Sequence, residues 1–187
     1  MYIFNSKNVD GQQLVPIINL LLGKDVVGAE VGTLRGQTAC TLLQNCPSIK
    51  KLYVIDFWKP YSDFLKVEQD GLPAYSVDEK DIEFIKVTAL HNFKYCGYSE
   101  KIEILDMDSN IAASIIENNS LDFVFLDVHM TTEQIKNDLI VWYDKVKTNG
   151  IIAVHDCIDK AVYNAIIDFL KEKNDGKKYS IFDNTFM

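Results

Sequence analysis

From residue 26 onward, short runs of β-branched and aromatic residues alternate with longer stretches whose apolar positions recur every three or four residues. The short runs predict strands at Val26–Glu30, Leu52–Asp56, Ile102–Leu105, Leu121–Val128, Gly150–His155 and Tyr179–Phe182. Helical patterns fall between them at about 36–46, 78–95, 109–119, 132–147 and 159–174. Each connection is long enough for a right-handed crossover between parallel strands. The predicted fold is therefore α/β, a doubly wound and mostly parallel Rossmann-like sheet. Ahead of it, Leu14–Leu22 is apolar but too short to span a membrane and contains Pro16 and Asn19. It predicts an amphipathic helix over one end of the sheet.

Two stretches break the pattern. Lys59–Val77 carries Pro60, Tyr61, Phe64, Gly71, Pro73 and Tyr75 without a clear period. A loop of that length in a compact domain is usually functional or disordered, and its aromatic content favours a lid over a substrate. At the other end only five residues follow Phe182. That leaves room for a short or truncated final strand pair, and for a sheet edge that a second copy could cover.

Composition narrows the class. The 187 residues suit a single domain, 1–187, with a real core. A net charge of −8 disfavours nucleic acid and anionic membrane surfaces as partners. Three histidines leave little for a histidine-rich metal cage, and His91 falls inside a helical pattern. Cys40, Cys46, Cys96 and Cys157 form no C-x-x-C pair. They read as buried reduced thiols of a cytoplasmic protein, with no activating partner for catalysis. The N-terminus has no leader pattern.

The segment Val26-Val-Gly-Ala-Glu-Val-Gly-Thr-Leu-Arg-Gly-Gln-Thr-Ala39 holds the most chemistry. A strand, a turn with Gly32 and Gly36, and a helix start together form a cradle. Glycine lets backbone approach a ligand, and the helix start offers free N–H groups. Glu30 at the strand end would repel a pyrophosphate and suits an ammonium group. It also occupies the middle-glycine place of a dinucleotide G-x-G-x-x-G motif, which disfavours a nicotinamide-dependent oxidoreductase.

Ligands of open α/β sheets sit beyond the carboxyl ends of the strands, so the residues at those ends are the candidates. Asp56 ends the second strand, 26 positions after Glu30, and suits the two hydroxyls of a ribose. Phe57 and Trp58 follow it and could stack on or wall an adenine. Asp108 and Ser109 follow the third strand and can cap the next helix, contact an adenine, or do both. The fourth strand ends in Asp127 and the fifth in His155-Asp156. Neighbouring strands lie ~4.8 Å apart, so Asp127 and Asp156 can converge on a hard cation such as magnesium. His155 would then be a weak ligand or a general base. The alternative is that Asp156 caps a helix and His155 packs structurally. His129, two residues past Asp127, is a weaker candidate.

The ordered series resembles the class I S-adenosylmethionine-dependent methyltransferases. Within them it is similar to small O-methyltransferases related to macrocin-type (macrolide-sugar) and polysaccharide-modifying enzymes. The resemblance runs over about residues 26–170. It is carried by Glu30-Val-Gly-Thr-Leu-Arg-Gly36, Asp56-Phe-Trp58, Asp108-Ser109, and the block Asp127, Glu133, Asp138, Trp142, Gly150, His155-Asp156.

The resemblance implies S-adenosylmethionine as cofactor and methyl transfer to a hydroxyl of a small molecule or sugar, often with a divalent cation. Glu30, Gly32, Thr33, Gly36, Asp56, Phe57, Trp58, Asp108, Ser109 and Asp127 would line the cofactor. Asp127 and Asp156 would hold the metal, and His155 and Asp127 would serve the chemistry. Departures are a histidine at 129 where the family carries one a residue later, and Asn149 in place of the first glycine of a pair. A non-catalytic cofactor-binding scaffold of the same fold is the alternative reading.

Overall fold

The computed structural model describes residues 11–59, 79–128, 131–157, 159–173, 181–182 and 185–186. Its strands are β1 (Val26–Val31), β2 (Ile49–Asp56), β3 (Ile102–Asp106), β4 (Leu121–Leu126), β5 (Val146–Val154), β6 (Ile181–Phe182) and β7 (Thr185–Phe186). Its helices are α1 (Leu14–Leu21), α2 (Gln37–Asn45), α3 (Glu79–Tyr95), α4 (Ser109–Ile115), α5 (Thr132–Tyr143) and α6 (Lys160–Lys173). The sheet order is β3-β2-β1-β4-β5-β7-β6. The first five strands in sequence pair in parallel, and β7 runs antiparallel to both β5 and β6. Strand order reverses between β1 and β4, which opens a crevice at their carboxyl ends.

Two apolar layers sandwich the sheet. Leu14 and Ile18 of α1, Leu42 and Leu43 of α2, and Ile82, Ile85 and Phe93 of α3 pack with Val54, Phe123 and Phe125 on one face. On the other face, Ala112 of α4, Leu139 and Trp142 of α5, and Ile166 and Phe169 of α6 pack with Val31, Ile55 and Val124. β4 is buried on both faces, as a central parallel strand must be, and reads as a near-continuous apolar run. Its exception, Asp122, accepts the Val27 amide at 2.8 Å and pairs with Lys147 at 2.9 Å. That carboxylate therefore locks β1 and β5 onto β4.

Helix starts follow local chemistry. Asp108 caps α4 by accepting the Asn110 and Ile111 amides. Thr131 and Gln134 form a reciprocal capping box on α5. Gly28 is a packing residue, because a Cβ there would sit 2.1 Å from the Phe123 ring.

The predicted helix over 132–147 is too long. α5 stops at Tyr143, and residues 146–149 belong to β5. Between Leu121↔Val146 and Phe123↔Ile151 the β4–β5 register shifts, with Asn149 left-handed at φ 71°. Asparagine tolerates that conformation. A Cβ at Gly150 would lie 2.7 Å from the Asp122 carbonyl. This bulge follows from strand pairing and leaves no periodic signal. The C-terminal pair forms, two residues to a strand, and touches β5 through Val154↔Phe186. Apart from Lys59 the predicted lid lies outside the described residues, as does His129.

Candidate active site

The carboxyl ends of β1, β2, β4 and β5 bring Glu30, Asp56, Asp127 and His155-Asp156 to one end of the sheet. Backbone bonds extend the ladder past the strands: Gly32 N–H to the Ile55 carbonyl, Asp127 N–H to Val31 and His155 N–H to Leu126, each 2.8–2.9 Å. These bonds set Asp127 beside His155.

The β1–α2 turn is forced by close approach. Gly32 has φ 87°, and a Cβ on it would lie 2.0 Å from the Asp127 carbonyl oxygen. Gly36 has φ 73° and faces the Phe93 ring, which a Cβ would meet at 2.3 Å. Gly36 is also the residue from which α2 starts, with no side chain capping the helix. The first turn of α2 thus begins beside the strand ends.

Glu30 is 1% exposed and accepts the Thr33 hydroxyl at 2.9 Å. Burial pushes its carboxyl well above the usual range. The Thr33 hydroxyl and the Ala39 amide offset this in part, while Asp127 and Asp56 add to it. Glu30 therefore braces the glycine turn against the start of α2 and has no direct opening to a ligand. Asp56 is 7% exposed and accepts the Trp58 amide at 2.9 Å and the Leu34 amide at 2.8 Å. Burial raises its pKa and these backbone amides counter the rise. The Phe57 and Thr33 amides add to the Trp58 and Leu34 amides, so backbone donors surround this carboxylate at the end of β2.

Trp58 does not have the exposed face that adenine stacking needs. It is buried among the residues under α3, at φ 36°, and its indole N–H donates to the Leu34 carbonyl at 2.9 Å. With Asp56 it bolts the end of β2 to the β1–α2 turn. Phe57, by contrast, is exposed at the end of β2.

Ser109 also turns inward. The Trp142 indole N–H donates to the Ser109 hydroxyl at 2.8 Å, and that hydroxyl donates to Asp138 at 2.5 Å. Asp138 and Trp142 are fully buried. Burial pushes the Asp138 carboxyl up to about 6, against a lowering by Ser109 and a smaller raising by Asp108. The Ser109 side chain is thus spent on tying α4 to α5, and the capping role of Asp108 is realised. The network had one sequence signal: Asp138 falls inside the apolar stripe Ile135, Leu139, Trp142.

Asp127, His155 and Asp156 form the one group of potential metal donors found among the described residues, with donor atoms all within 4.8 Å of one another. His155 Nδ1 lies 3.4 Å from Asp127 Oδ1 and 3.2 Å from Asp156 Oδ1. Burial, the largest single effect, lowers the imidazole pKa, but the two carboxylates together outweigh it and push it up to about 10. A single imidazolium thus faces two carboxylates that are still partly open to solvent. Two carboxylates and an imidazole at this spacing suit a hard divalent cation. Asp156 holds φ 54°, a left-handed conformation that aspartate tolerates better than most residues. A shallow groove lined by Lys24, Ser48, Lys50 and Lys101 lies at the opposite end of the sheet, away from this chemistry.

A family model described as a methyltransferase domain matches residues 29–157. No curated protein sequence matches the chain. Solved structures share the fold at low identity. Precorrin-6y C5,15-methyltransferase from Geobacter metallireducens is 11% identical with a TM-score of 0.62, over 97% of this chain and 87% of that one. Cofactor-bound Rv0187 from MTB is 14% identical with a TM-score of 0.63, over 97% and 80%. A candidate O-methyltransferase from Klebsiella pneumoniae is 12% identical with a TM-score of 0.62, over 94% and 73%.

Proposed function

The chain belongs to the methyltransferase domain family, and from that premise we propose that it moves the methyl group of S-adenosylmethionine to a hydroxyl oxygen of a small molecule or sugar. The observation that carries the choice of a hydroxyl is the meeting of Asp127, His155 and Asp156 beside the glycine turn. A neutral alcohol is a poor nucleophile, and this cluster has the donors for a cation, with Asp127 and Asp156 as ligands and His155 as third donor or base. When bound, a divalent cation such as magnesium would lower the acceptor pKa and orient its oxygen.

The remaining work falls to binding. Gly32 to Gly36 and the start of α2 cradle the methionine end, with Thr33 and Glu30 keeping the turn in place. Glu30 acts on that end through the turn it braces. Asp56 takes the ribose, Phe57 walls the adenine, and Asp108 with the backbone of Ser109 meets its edge. The sulfonium is already activated, so alignment and water exclusion supply most of the rate. In that reaction the C–S bond would break as the O–C bond forms and S-adenosylhomocysteine would leave; the hydroxyl proton would go to solvent or, once the imidazolium has given up its own proton, to His155. The macrocin-type subfamily and a cytoplasmic location belong to the same proposal.

Calorimetric titration with S-adenosylhomocysteine, with and without magnesium, tests it. Micromolar binding that is lost in Asp56→Ala and tightened by magnesium supports the reading. Absence of binding in either buffer overturns it. Binding without turnover over a broad panel of hydroxyl acceptors would favour a cofactor-binding scaffold.

A further inference from the structure

Helix α3 is apolar on two opposite faces. Ile82, Ile85, Ala89 and Phe93 are buried against the sheet. About half a turn away, Phe84 is 66% exposed, Val87 53% and Tyr95 52%, with Leu90 at 40% on the flank. His91 lies in the same stripe, its ring 4.6 Å from that of Tyr95. A helix that is apolar all round belongs in an interior, and clustered exposed apolar residues mark an interaction surface.

The pattern along this face is self-complementary. An aromatic residue stands at each end, Phe84 and Tyr95, with Val87, Thr88 and His91 between. Glu83 precedes the stripe and Lys94 closes it, on the same flank at 100° per residue. Antiparallel pairing about a two-fold axis sets Phe84 of one copy against Tyr95 of the other. It also brings each Glu83 alongside the opposite Lys94, giving two symmetric ion pairs. The sheet edges offer a second copy less. Edge strand β3 carries Glu103 and Asp106, paired with Lys51 and Lys86, and β6 has two residues; charges and short strands guard edges against pairing.

We infer that two copies of this chain associate through the outer faces of α3, packed antiparallel. The association is expected to be reversible and is tested across the micromolar range.

Sedimentation velocity on the full chain from about 5 to 200 μM tests this. A concentration-dependent dimer is expected, and Val87→Glu should abolish it while circular dichroism stays unchanged. Glu83→Lys, which sets like charges together twice, should weaken association about tenfold. The double variant Glu83→Lys/Lys94→Glu should recover it to within about threefold. A wild-type chain that stays monomeric overturns the proposal. So does a dimer untouched by Val87→Glu, or a charge swap that fails to rescue.

Discussion

The ends of β1 and β2 and the ends of β4 and β5 both present carboxylates to the same crevice, yet they are built oppositely. Glu30 and Asp56 are buried and answered by protein donors: the Thr33 hydroxyl for one, the Leu34 and Trp58 amides for the other. Asp127 and Asp156 keep partial solvent access, and each lies beside the His155 Nδ1. The first pair is preorganised, since its hydrogen bonds hold the turn that a cofactor would enter. The second pair is electrostatically unfinished, held by a single imidazolium where a divalent charge would fit. One end shapes the binding site and the other is placed to react.

The largest effect should come from joining the two halves too tightly. Gly32→Ala puts a Cβ 2.0 Å from the Asp127 carbonyl at a φ of 87°. We expect a loss of about 3–5 kcal/mol, read from urea midpoints; a loss under 1 kcal/mol would mean the halves are not in contact. The comparison sharpens with a pair of opposite variants. Asp156→Asn should weaken manganese binding about 100-fold while leaving S-adenosylhomocysteine binding within about threefold. Asp56→Ala should do the reverse, and one variant that damages both equally would show a single coupled site.

Asp138 tests whether a buried carboxylate closed by protein donors behaves as burial dictates. Its pKa is raised in the folded chain from 3.8 to about 6. The folded state therefore holds the proton more tightly than the unfolded chain. This contribution is complete below about pH 4 and is lost as pH rises through about 6. Relative to Asp138→Asn, wild-type stability should fall by about 2–3 kcal/mol from pH 4 to pH 7, measured by urea unfolding at each pH. Parallel curves would show that the site is already relaxed or hydrated. The smallest change is expected at the solvated Lys147–Asp122 pair, where Lys147→Ala should cost under about 1 kcal/mol, because Asp122 keeps the Val27 amide.

Within the site, the chain order already named Glu30, Asp56, Asp127 and Asp156, because an open α/β sheet collects ligands at strand ends and each of these residues ends or directly follows a strand. It could not tell which carboxylates face a ligand and which face the protein. Trp58 shows why. As the third residue of Asp56-Phe-Trp58 it is equally compatible with stacking on adenine and with the buried N–H bond to Leu34. Only the position of the neighbouring turn decides. Ser109 is the same case, since its hydroxyl is claimed by Asp138 and Trp142, residues 29 and 33 positions away.

Periodicity and turn residues along the chain were enough for the doubly wound sheet, its strands and most helix limits. They depend on local preferences and on the alternation that every crossover unit repeats. The bulge before Gly150, the strain-bearing turn at Gly32 and the ring of charges around His155 were decided by tertiary structure. Each arises where backbone from a distant segment comes within bonding distance, and no pattern along one segment encodes that distance.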